Sequence, residues 1–374
     1  MLGWSSMRTI ALFGLSAFAS CTPPAAQEPN LPGSGAQSLS QRYKAVAEAR
    51  TEALSDAIEP ARRVAAPASP IDAGQPLALP GSAARTVVHE RVNEAENLFF
   101  TEDGRLFVSG SEDIYEIERT PDGQYTRTDY FDEECVVEGI VRQENYLYGV
   151  CWTLERDLST RSFLVAGELT DKPRFRRILE LDDGVVPNGM TFDSEGRLYV
   201  TYTTVAGQIV RFTFDAPTVV TRKEVWGSEL SNVNGIKYHG GAMYITMLSP
   251  LLMGQFARVP LRADGSAGET EILYERWFTV LDDVLPFGEG FIISDFLNGT
   301  LIFWSPAQGV FAETPTGTFV GPTSIARGKP PMFDASQLLV PEKGTFLIRD
   351  EEDGDRLSSY QMPEALWHVA PTPD

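Results

Sequence analysis

Cysteine, histidine and basic residues are all scarce in this chain of 374 residues, which holds three Cys, three His and 31 Lys and Arg against 52 Asp and Glu. The net charge of −21 argues against a nucleic-acid partner, because phosphates are held by stripes of Lys and Arg. Zinc or copper would find few ligands. The sequence also has neither a nucleophile elbow nor a Gly-rich phosphate-binding loop.

Long apolar runs are missing except at the start, where Arg8 precedes the apolar stretch 10–18 and small residues lead to Cys21. This pattern predicts a lipoprotein-type signal peptide over residues 1–20, with Cys21 lipidated after cleavage. The alternative is an ordinary cleaved signal peptide in which Cys21 is incidental. The stretch is too short to remain as a membrane span, so a lipid on Cys21 would be the membrane attachment. We therefore expect an exported bacterial protein, either periplasmic or anchored to the outer membrane.

The segment that follows, residues 21–84, divides into a predicted helix over 38–59 and a linker rich in Pro and Ala. Pro60 is expected to end the helix. Beyond residue 84 the composition becomes that of a packed β domain, which we place at 85–360, and residues 361–374 form a tail without a clear pattern.

A repeated pattern fills the predicted β domain. Each repeat has a polar residue, an apolar run, a turn that usually contains Gly, and a second apolar run, and the repeats follow one another at about 41 to 50 residues. This is the length of one four-stranded propeller blade, so the sequence predicts an all-β fold, a six-bladed β-propeller. The leading polar residues of the repeats are Glu96, Glu138, Asn188, Asn234, Asp282 and Thr323.

Most repeats carry their own hairpin turn, for example Asp103-Gly104 and Gly240-Gly241, between runs rich in Tyr, Phe, Val and Ile. The last repeat is short of strands, whereas the segment 85–92 precedes the first full repeat and is rich in strand-forming residues. We predict that this N-terminal segment completes the sixth blade and so closes the ring.

Cys135 and Cys151 flank the predicted hairpin of the second repeat at nearly equal distances from its turn. Export makes a disulfide chemically allowed, and the pairing of neighbouring strands brings the two residues close. We predict a Cys135–Cys151 disulfide. Two buried thiols are the alternative.

A propeller brings equivalent residues of its blades to one axis, so the leading polar residues are expected to converge there. Carboxylates gathered in a narrow channel repel one another unless protons or a cation compensate them. Calcium accepts six to eight oxygens from mixed carboxylate and amide sets, and we therefore expect a divalent cation, calcium above all. Glu138 or Asp283 has an alternative interpretation, in which its side chain caps a strand at the solvent-facing surface.

Over residues 85–345 the chain resembles the senescence-marker/gluconolactonase family of six-bladed propellers. The resemblance rests on Glu96, on Pro187-Asn188-Gly189, on Asn234-Gly235-Ile236 and on Leu281-Asp282-Asp283-Val284. The resemblance implies a calcium ion bound by Glu96, Asn188 and Asp282, with Asn234 as a further ligand or a substrate contact. One departure is that Asp-Asp stands in the fifth repeat, where the family more often has Asp-Gly.

The resemblance further implies hydrolysis of a lactone or related ester, a small-molecule substrate. Calcium would polarise the carbonyl, and Asp282, Asp283 or Glu138 would take the proton from the attacking water. The alternative is a non-enzymatic propeller that binds a ligand or a protein and uses calcium structurally, because a fold does not fix a function.

Overall fold

The computed structural model describes residues 76–110, 113–131, 135–154, 159–204, 206–250, 252–344 and 354–367. The predicted signal peptide, Cys21, the predicted helix, most of the predicted linker and the end of the predicted tail lie outside the described residues. Among the helices within the described ranges, none has the length and apolar character that crossing a membrane requires.

Six sheets form the domain in the described residues, and four antiparallel strands of each make one blade. Blades 1, 2 and 3 follow the chain order, so the first strand of each lies innermost and the fourth lies outermost. Blade 1 consists of β3 (Ala95–Phe100), β4 (Leu106–Gly110), β5 (Asp113–Arg119) and β6 (Tyr125–Asp129). Blade 2 consists of β7 (Val136–Gln143), β8 (Tyr146–Leu154), β9 (Thr160–Glu168) and β10 (Arg176–Glu180). Blade 3 consists of β11 (Pro187–Phe192), β12 (Leu198–Tyr202), β13 (Gln208–Ala216) and β14 (Val219–Gly227).

Blades 4 and 5 repeat this order, whereas blade 6 draws one strand from the N-terminal side. Blade 4 consists of β15 (Ile236–His239), β16 (Ala242–Leu248), β17 (Met253–Pro260) and β18 (Glu271–Trp277). Blade 5 consists of β19 (Leu281–Phe287), β20 (Gly290–Asp295), β21 (Thr300–Ser305) and β22 (Gly309–Glu313). Blade 6 consists of β23 (Ala326–Arg327), β24 (Gln337–Glu342), β25 (Arg356–Gln361) and β2 (Arg85–Glu90).

The first strands of blades 1 to 5 pack against one another in succession, blades 5 and 6 share one apolar cluster, and β23 and β24 of blade 6 pack against β3 of blade 1. The ring is therefore closed. As predicted, the N-terminal segment supplies the outer strand of blade 6, since β2 pairs antiparallel with β25 from Arg85 opposite Tyr360 to Glu90 opposite Arg356. The predicted six-bladed propeller is confirmed.

Two terminal segments differ from their predicted descriptions. The end of the predicted linker lies on the propeller, because β1 (Leu77–Ala78) pairs in parallel with β22 and Ser82–Ala84 form one turn of 3-10 helix. In the predicted tail, the short helix α1 (Glu364–Trp367) buries Leu366 in the core of blades 5 and 6.

The hydrophobic core lies between neighbouring blades. Val150 and Leu164 of blade 2, for example, share one apolar cluster with Leu198 and Val200 of blade 3. Outer strands such as β6 alternate exposed and half-buried side chains, whereas β4 is buried throughout. The inner strands therefore keep fixed positions around the axis, which is the condition for a site built from several blades.

The predicted disulfide is present. Cys135 and Cys151 are bonded, their Cα atoms lie 5.6 Å apart, and both side chains are buried. The bond ties the start of blade 2 to the strand β8, one residue from Trp152.

Candidate functional site at the propeller axis

The leading polar residues lie at the start of the inner strands, and all are buried. Glu96, Glu138, Asn188 and Asp282 are the second or third residues of β3, β7, β11 and β19, and Asn234 lies two residues before β15. Their exposed fractions run from 2% to 5%. Equivalent ends of the inner strands face one end of the channel, so these side chains share one buried polar region.

A bulge at this position recurs in four of the six blades. The pairing of inner and second strands shifts between Ala95 and Leu98, between Val137 and Ile140, between Pro187 and Met190, and between Leu281 and Val284. A bulge inserts an extra residue and interrupts the alternation of side chains. This explains why Asp282 and Asp283 are adjacent yet both buried, at 5% and 3% exposure.

Hydroxyl groups on the second strands of blades 1, 3, 4 and 5 connect the start of the inner strand to the next blade. In blade 4 the main-chain N–H of Gly235 donates to Thr246 Oγ1 at 2.8 Å, and the Thr246 hydroxyl donates to the carbonyl of Asp282 at 2.5 Å. Thr201 makes the same two bonds, from Gly189 N–H and to the carbonyl of Asn234. Ser109 and Ser294 are the equivalent residues of blades 1 and 5. These bridges hold the main-chain carbonyls of four leading residues, Glu138, Asn234, Asp282 and Thr323.

Glycine follows the leading residue where the next blade comes close. A Cβ atom on Gly139 would lie 2.2 Å from the carbonyl oxygen of Asn188, and one on Gly235 would lie 2.5 Å from that of Asp282. In blades 1, 5 and 6 the position is instead occupied by Asn97, Asp283 and Ser324, and their side chains meet. The Asn-Gly pairs thus serve blade packing in addition to any ligand.

We call the buried polar residues at the starts of the inner strands, together with the side chains that contact them, the axial cluster. Its members are Glu96, Asn97, Glu138, Asn188, Asn234, Lys237, Asp282, Asp283, Ser324 and Lys343.

Lys343, which directly follows β24, lies between two of the predicted acidic residues. Its Nζ is 2.5 Å from Glu96 Oε2 and 3.4 Å from Glu138 Oε2, and its side chain is 7% exposed. The other oxygen of Glu138 accepts a hydrogen bond from Trp152 Nε1 at 2.8 Å. Both oxygens of Glu138 are therefore held, one by a residue of β8 in blade 2 and the other by the residue that follows β24 in blade 6.

Asp283 is held on one side only. Its Oδ2 accepts a hydrogen bond from the Ser324 hydroxyl at 2.5 Å and lies 3.2 Å from Lys237 Nζ, with Asn97 Nδ2 at 3.5 Å. Its Oδ1 is buried and finds no partner among the residues that the structure describes. Asp283 does not lie at the solvent-facing surface, which was its alternative interpretation.

Partnerless oxygens recur elsewhere in the cluster. Oδ1 of Asn97 and Oδ1 of Asn234 are also buried without a hydrogen-bond partner within the described part of the chain. An unsatisfied buried acceptor costs about 1 to 3 kcal/mol. Three such oxygens in one region indicate a region prepared for a donor or a cation.

Burial and crowding shift the acidity of the cluster. Burial raises the pKa of the Asp282 carboxyl well above its ordinary value, the charge of Glu96 adds to this, and the Lys343 ammonium opposes it. Burial also raises the pKa of Glu96, again against the ammonium of Lys343. The pKa of Lys343 itself is raised, because the two carboxylates outweigh the effect of its burial.

The oxygen atoms of the axial cluster have some of the features that a site for a hard cation requires. Four carboxylates of the axial cluster face two ammonium groups, so negative charge is in excess, and the partnerless oxygens are of the kind that calcium takes. No three Asp, Glu, His or Cys side chains within the described ranges are grouped closely enough to hold a metal. The predicted set of Glu96, Asn188, Asn234 and Asp282 has only two carboxylates, so this finding does not decide it.

Sequence reasoning did not find Lys343, Trp152, Lys237 or Ser324. Thr323, which was expected at the axis, instead donates its hydroxyl hydrogen bond to the carbonyl of Ala95 at 2.9 Å, and its neighbour Ser324 joins the axial cluster. The hydroxyl residues of the second strands do carry a signal, since a Ser or Thr recurs within the second apolar run of four repeats.

Comparison with solved structures places the fold among six-bladed propellers. A glucose dehydrogenase matches with a TM-score of 0.54 and 13% identity over 75% of this chain and 99% of that one. The soluble aldose sugar dehydrogenase from Escherichia coli, in its apo-form, matches with a TM-score of 0.54 and 12% identity over 75% and 99%. Another structure titled glucose dehydrogenase gives 0.53 and 14% over 75% and 98%.

At these identities the likeness shows the fold alone. No protein-family model matches the chain, and no curated protein matches it. The narrower resemblance to the senescence-marker/gluconolactonase family stays a prediction.

Proposed function

We propose that the axial cluster is the active site of a hydrolase that opens lactones or related esters with the help of a divalent cation, calcium above all. The observation that carries the proposal is the combination, in one buried region, of excess carboxylate charge with three partnerless oxygens. A purely structural polar cluster would be expected to satisfy its buried acceptors.

Asp282, Asn188 and Asn234 are the residues proposed to hold the cation, with Glu96 shared between it and Lys343. Asp282 is buried without a cationic partner of its own in the described structure, and the Oδ1 of Asn234 has no donor. When bound, calcium would supply Lewis-acid polarisation of the substrate carbonyl.

Asp283 is the better candidate for the general base than Glu138. The carboxylate of Glu138 is engaged at both oxygens, by Trp152 and by Lys343. Asp283 is anchored through Oδ2 by Ser324 and Lys237, while Oδ1 is left to accept a proton. A base fixed through one oxygen and open at the other keeps its orientation during proton transfer.

A panel of five- and six-membered lactones and aryl esters tests the proposal. Bound metal is removed from the protein with EDTA, and hydrolysis is followed before and after calcium is restored. We expect calcium-dependent turnover, a loss of at least 100-fold in kcat for Asp283→Asn with calcium binding retained, and loss of both in Asp282→Ala. Asp264→Asn, which removes an exposed turn carboxylate, is the matched control. Full activity in Asp282→Ala would contradict the proposal.

A second candidate is supported by the burial of the cluster. The leading residues are at most 5% exposed, which suits a structural cation in a propeller that binds a ligand or protein on its surface. Calcium would then raise the melting temperature without turnover of any substrate in the panel.

The disulfide supports the proposal that the chain is exported, because such bonds persist in oxidising compartments. Attachment to a bacterial membrane through Cys21 is proposed on the signal pattern alone. Radiolabelled fatty acid incorporation in the wild type but not in Cys21→Ala would support the anchor.

A further inference from the structure

Lys343 differs from every residue that the repeat predicted for the axis. The leading residues come from the starts of inner strands, whereas Lys343 follows the second strand of blade 6. Its ammonium nonetheless lies against Glu96 and Glu138, the leading residues of blades 1 and 2, at 2.5 Å and 3.4 Å. The sixth blade thus contributes a positive charge where the first two contribute negative ones.

All three of these side chains are at least nine-tenths buried. Lys343 is 7% exposed, Glu96 is 5% and Glu138 is 2%. Two carboxylates this deep in a protein are costly unless a positive charge is placed between them. Within the described residues, Lys343 supplies that charge directly, and Trp152 adds only a neutral N–H donor.

We infer that Lys343 is a built-in cation that fills a position where a metal ion would otherwise bind to Glu96 and Glu138. The inference deepens the proposed function, on which it rests for the identity of the ion, because it makes the axial cluster a site with one protein-supplied cation and one exchangeable cation. Lys343 compensates Glu96 and Glu138, and the exchangeable ion is held by Asp282, Asn188 and Asn234, with Glu96 shared between this ion and Lys343.

The position of the Lys343 ammonium explains why the axial cluster would bind only one exchangeable metal ion. A second metal ion beside Lys343 would meet a positive charge at close range in a poorly solvated region, where such repulsion is strong. With Lys343 replaced by an apolar side chain of similar length, the same two carboxylates would lack compensation and would attract calcium.

Three variants and two measurements test this inference. Calcium affinity is measured by isothermal titration calorimetry, and the melting temperature is recorded in EDTA and in saturating calcium. Lys343→Met removes the ammonium, Lys343→Arg retains the charge, and Lys223→Met is the matched control. Lys223 pairs with Asp182 at 2.6 Å in blade 3 and belongs to no part of the cluster.

Lys343→Met is expected to bind calcium at least tenfold more tightly than the wild type, or to bind it where the wild type does not. It should melt lower than the wild type in EDTA, and calcium should restore more of its stability. Lys343→Arg and Lys223→Met should bind calcium as the wild type does.

Two results would overturn the inference. One is calcium affinity in Lys343→Met that equals or falls below that of the wild type. The other is a loss of stability in Lys343→Met that calcium fails to reverse. If the wild type binds no calcium while Lys343→Met does, the inference stands and the calcium-dependent function proposed above fails, so the two failures are distinguishable.

Discussion

Two buried clusters of this propeller contain carboxylates but differ in how many hydrogen-bond donors and positive charges surround them. Glu342, at the closure of the ring, is fully buried and accepts hydrogen bonds from Arg85 through both oxygens, from Arg356, from the Ser358 hydroxyl and from the main-chain N–H of Val320. We call these residues the closure cluster. The axial cluster has more carboxylates than ammonium groups and retains partnerless oxygens. Both oxygens of Glu342 thus have donors, although Arg356 Nε is without a partner among the described residues, whereas three oxygens of the axial cluster have no donor there.

The closure cluster stabilises the fold, whereas the axial cluster is the proposed functional site. In the closure cluster, one carboxylate joins the N-terminal strand β2 to β24 and β25 of the same blade, through Arg85 and Arg356. Removing it would leave two arginines without their partner. In the axial cluster, removing the carboxylate of Asp282 would relieve crowding, because burial and the charge of Glu96 already raise its pKa. The same chemical change should therefore have opposite effects on stability at the two places.

The largest expected effect is the loss of stability on breaking the closure cluster. Glu342→Gln should lower the unfolding free energy by about 4 kcal/mol, since removing one charge of a buried ion pair leaves the opposite charge buried and unpaired. Asp282→Asn in calcium-free buffer should cost less than about 1 kcal/mol, or stabilise the protein. Urea unfolding followed by circular dichroism measures both. Equal losses in the two variants would remove the distinction between the clusters.

The second effect concerns the disulfide, which fixes the blade 2 side of the axial cluster. Cys135 and Cys151 are separated by 16 residues, and closing a loop of this size stabilises a protein by about 3 kcal/mol through the unfolded state. The Cys135→Ala, Cys151→Ala double variant should lose this amount. It should also change the fluorescence assigned to Trp152 by comparison with Trp152→Phe, because Trp152 follows Cys151 and donates to Glu138. Unchanged stability would show that the covalent bond adds nothing to the packing of these strands.

Residues that recur at the same position of each repeat can be predicted from the sequence, and several residues of the axial cluster are of this kind. The axial position of Glu96, Asn188 and Asp282 was predictable, because a residue repeated at one register of every blade must return to the same place around the ring. The strand β2 was predictable because the last repeat was short of strands. These inferences need only periodicity.

Residues that occur in one blade only could not be predicted from the repeat. Lys343 has no counterpart among the leading residues, and its contact with Glu96 spans 247 positions of sequence. Blade 6 also starts its inner strand late, at Ala326, so Thr323 bonds the backbone of blade 1 while Ser324 reaches Asp283. The closure cluster is equally non-repeating, because Arg85 and Glu342 are brought together only by the joining of the two ends of the domain.

A third buried carboxylate provides an intermediate case and a pH-dependent prediction. Asp295, at the end of β20, accepts hydrogen bonds from the side chain and the N–H of Asn298, and burial raises its pKa to about 6. A pKa raised by folding favours the protonated form, so this stabilising contribution is complete below the unfolded value near 4 and is lost as the pH rises through about 6.

Asp295→Asn should remove this dependence. The unfolding free energy of the wild type relative to Asp295→Asn should fall by roughly 2 kcal/mol between pH 4 and pH 7.5. Taking the difference between the two proteins cancels the other titrating groups that both contain. A difference that stays constant over this range would show that burial does not raise the pKa of Asp295.

The smallest expected effect tests whether the hydroxyl bridges hold the axial cluster in place. Thr246→Val keeps the shape of the side chain but removes the acceptor for Gly235 N–H and the donor to the carbonyl of Asp282. The loss should be about 1 kcal/mol of stability, since a net hydrogen bond contributes about this much and a buried N–H is left unpaired.

A control for that bridge lies on the outer part of the same propeller. Thr221→Val removes an exposed hydroxyl that bonds the carbonyl of Thr213, and it should change neither stability nor calcium binding by a measurable amount. If Thr246→Val weakens calcium binding beyond its cost in stability, the bridge positions Asp282 for the ion. If stability and calcium affinity fall together, or if neither changes, the hydroxyl bridges serve blade packing alone. The geometry of the axial cluster is then set by the bulges of the inner strands.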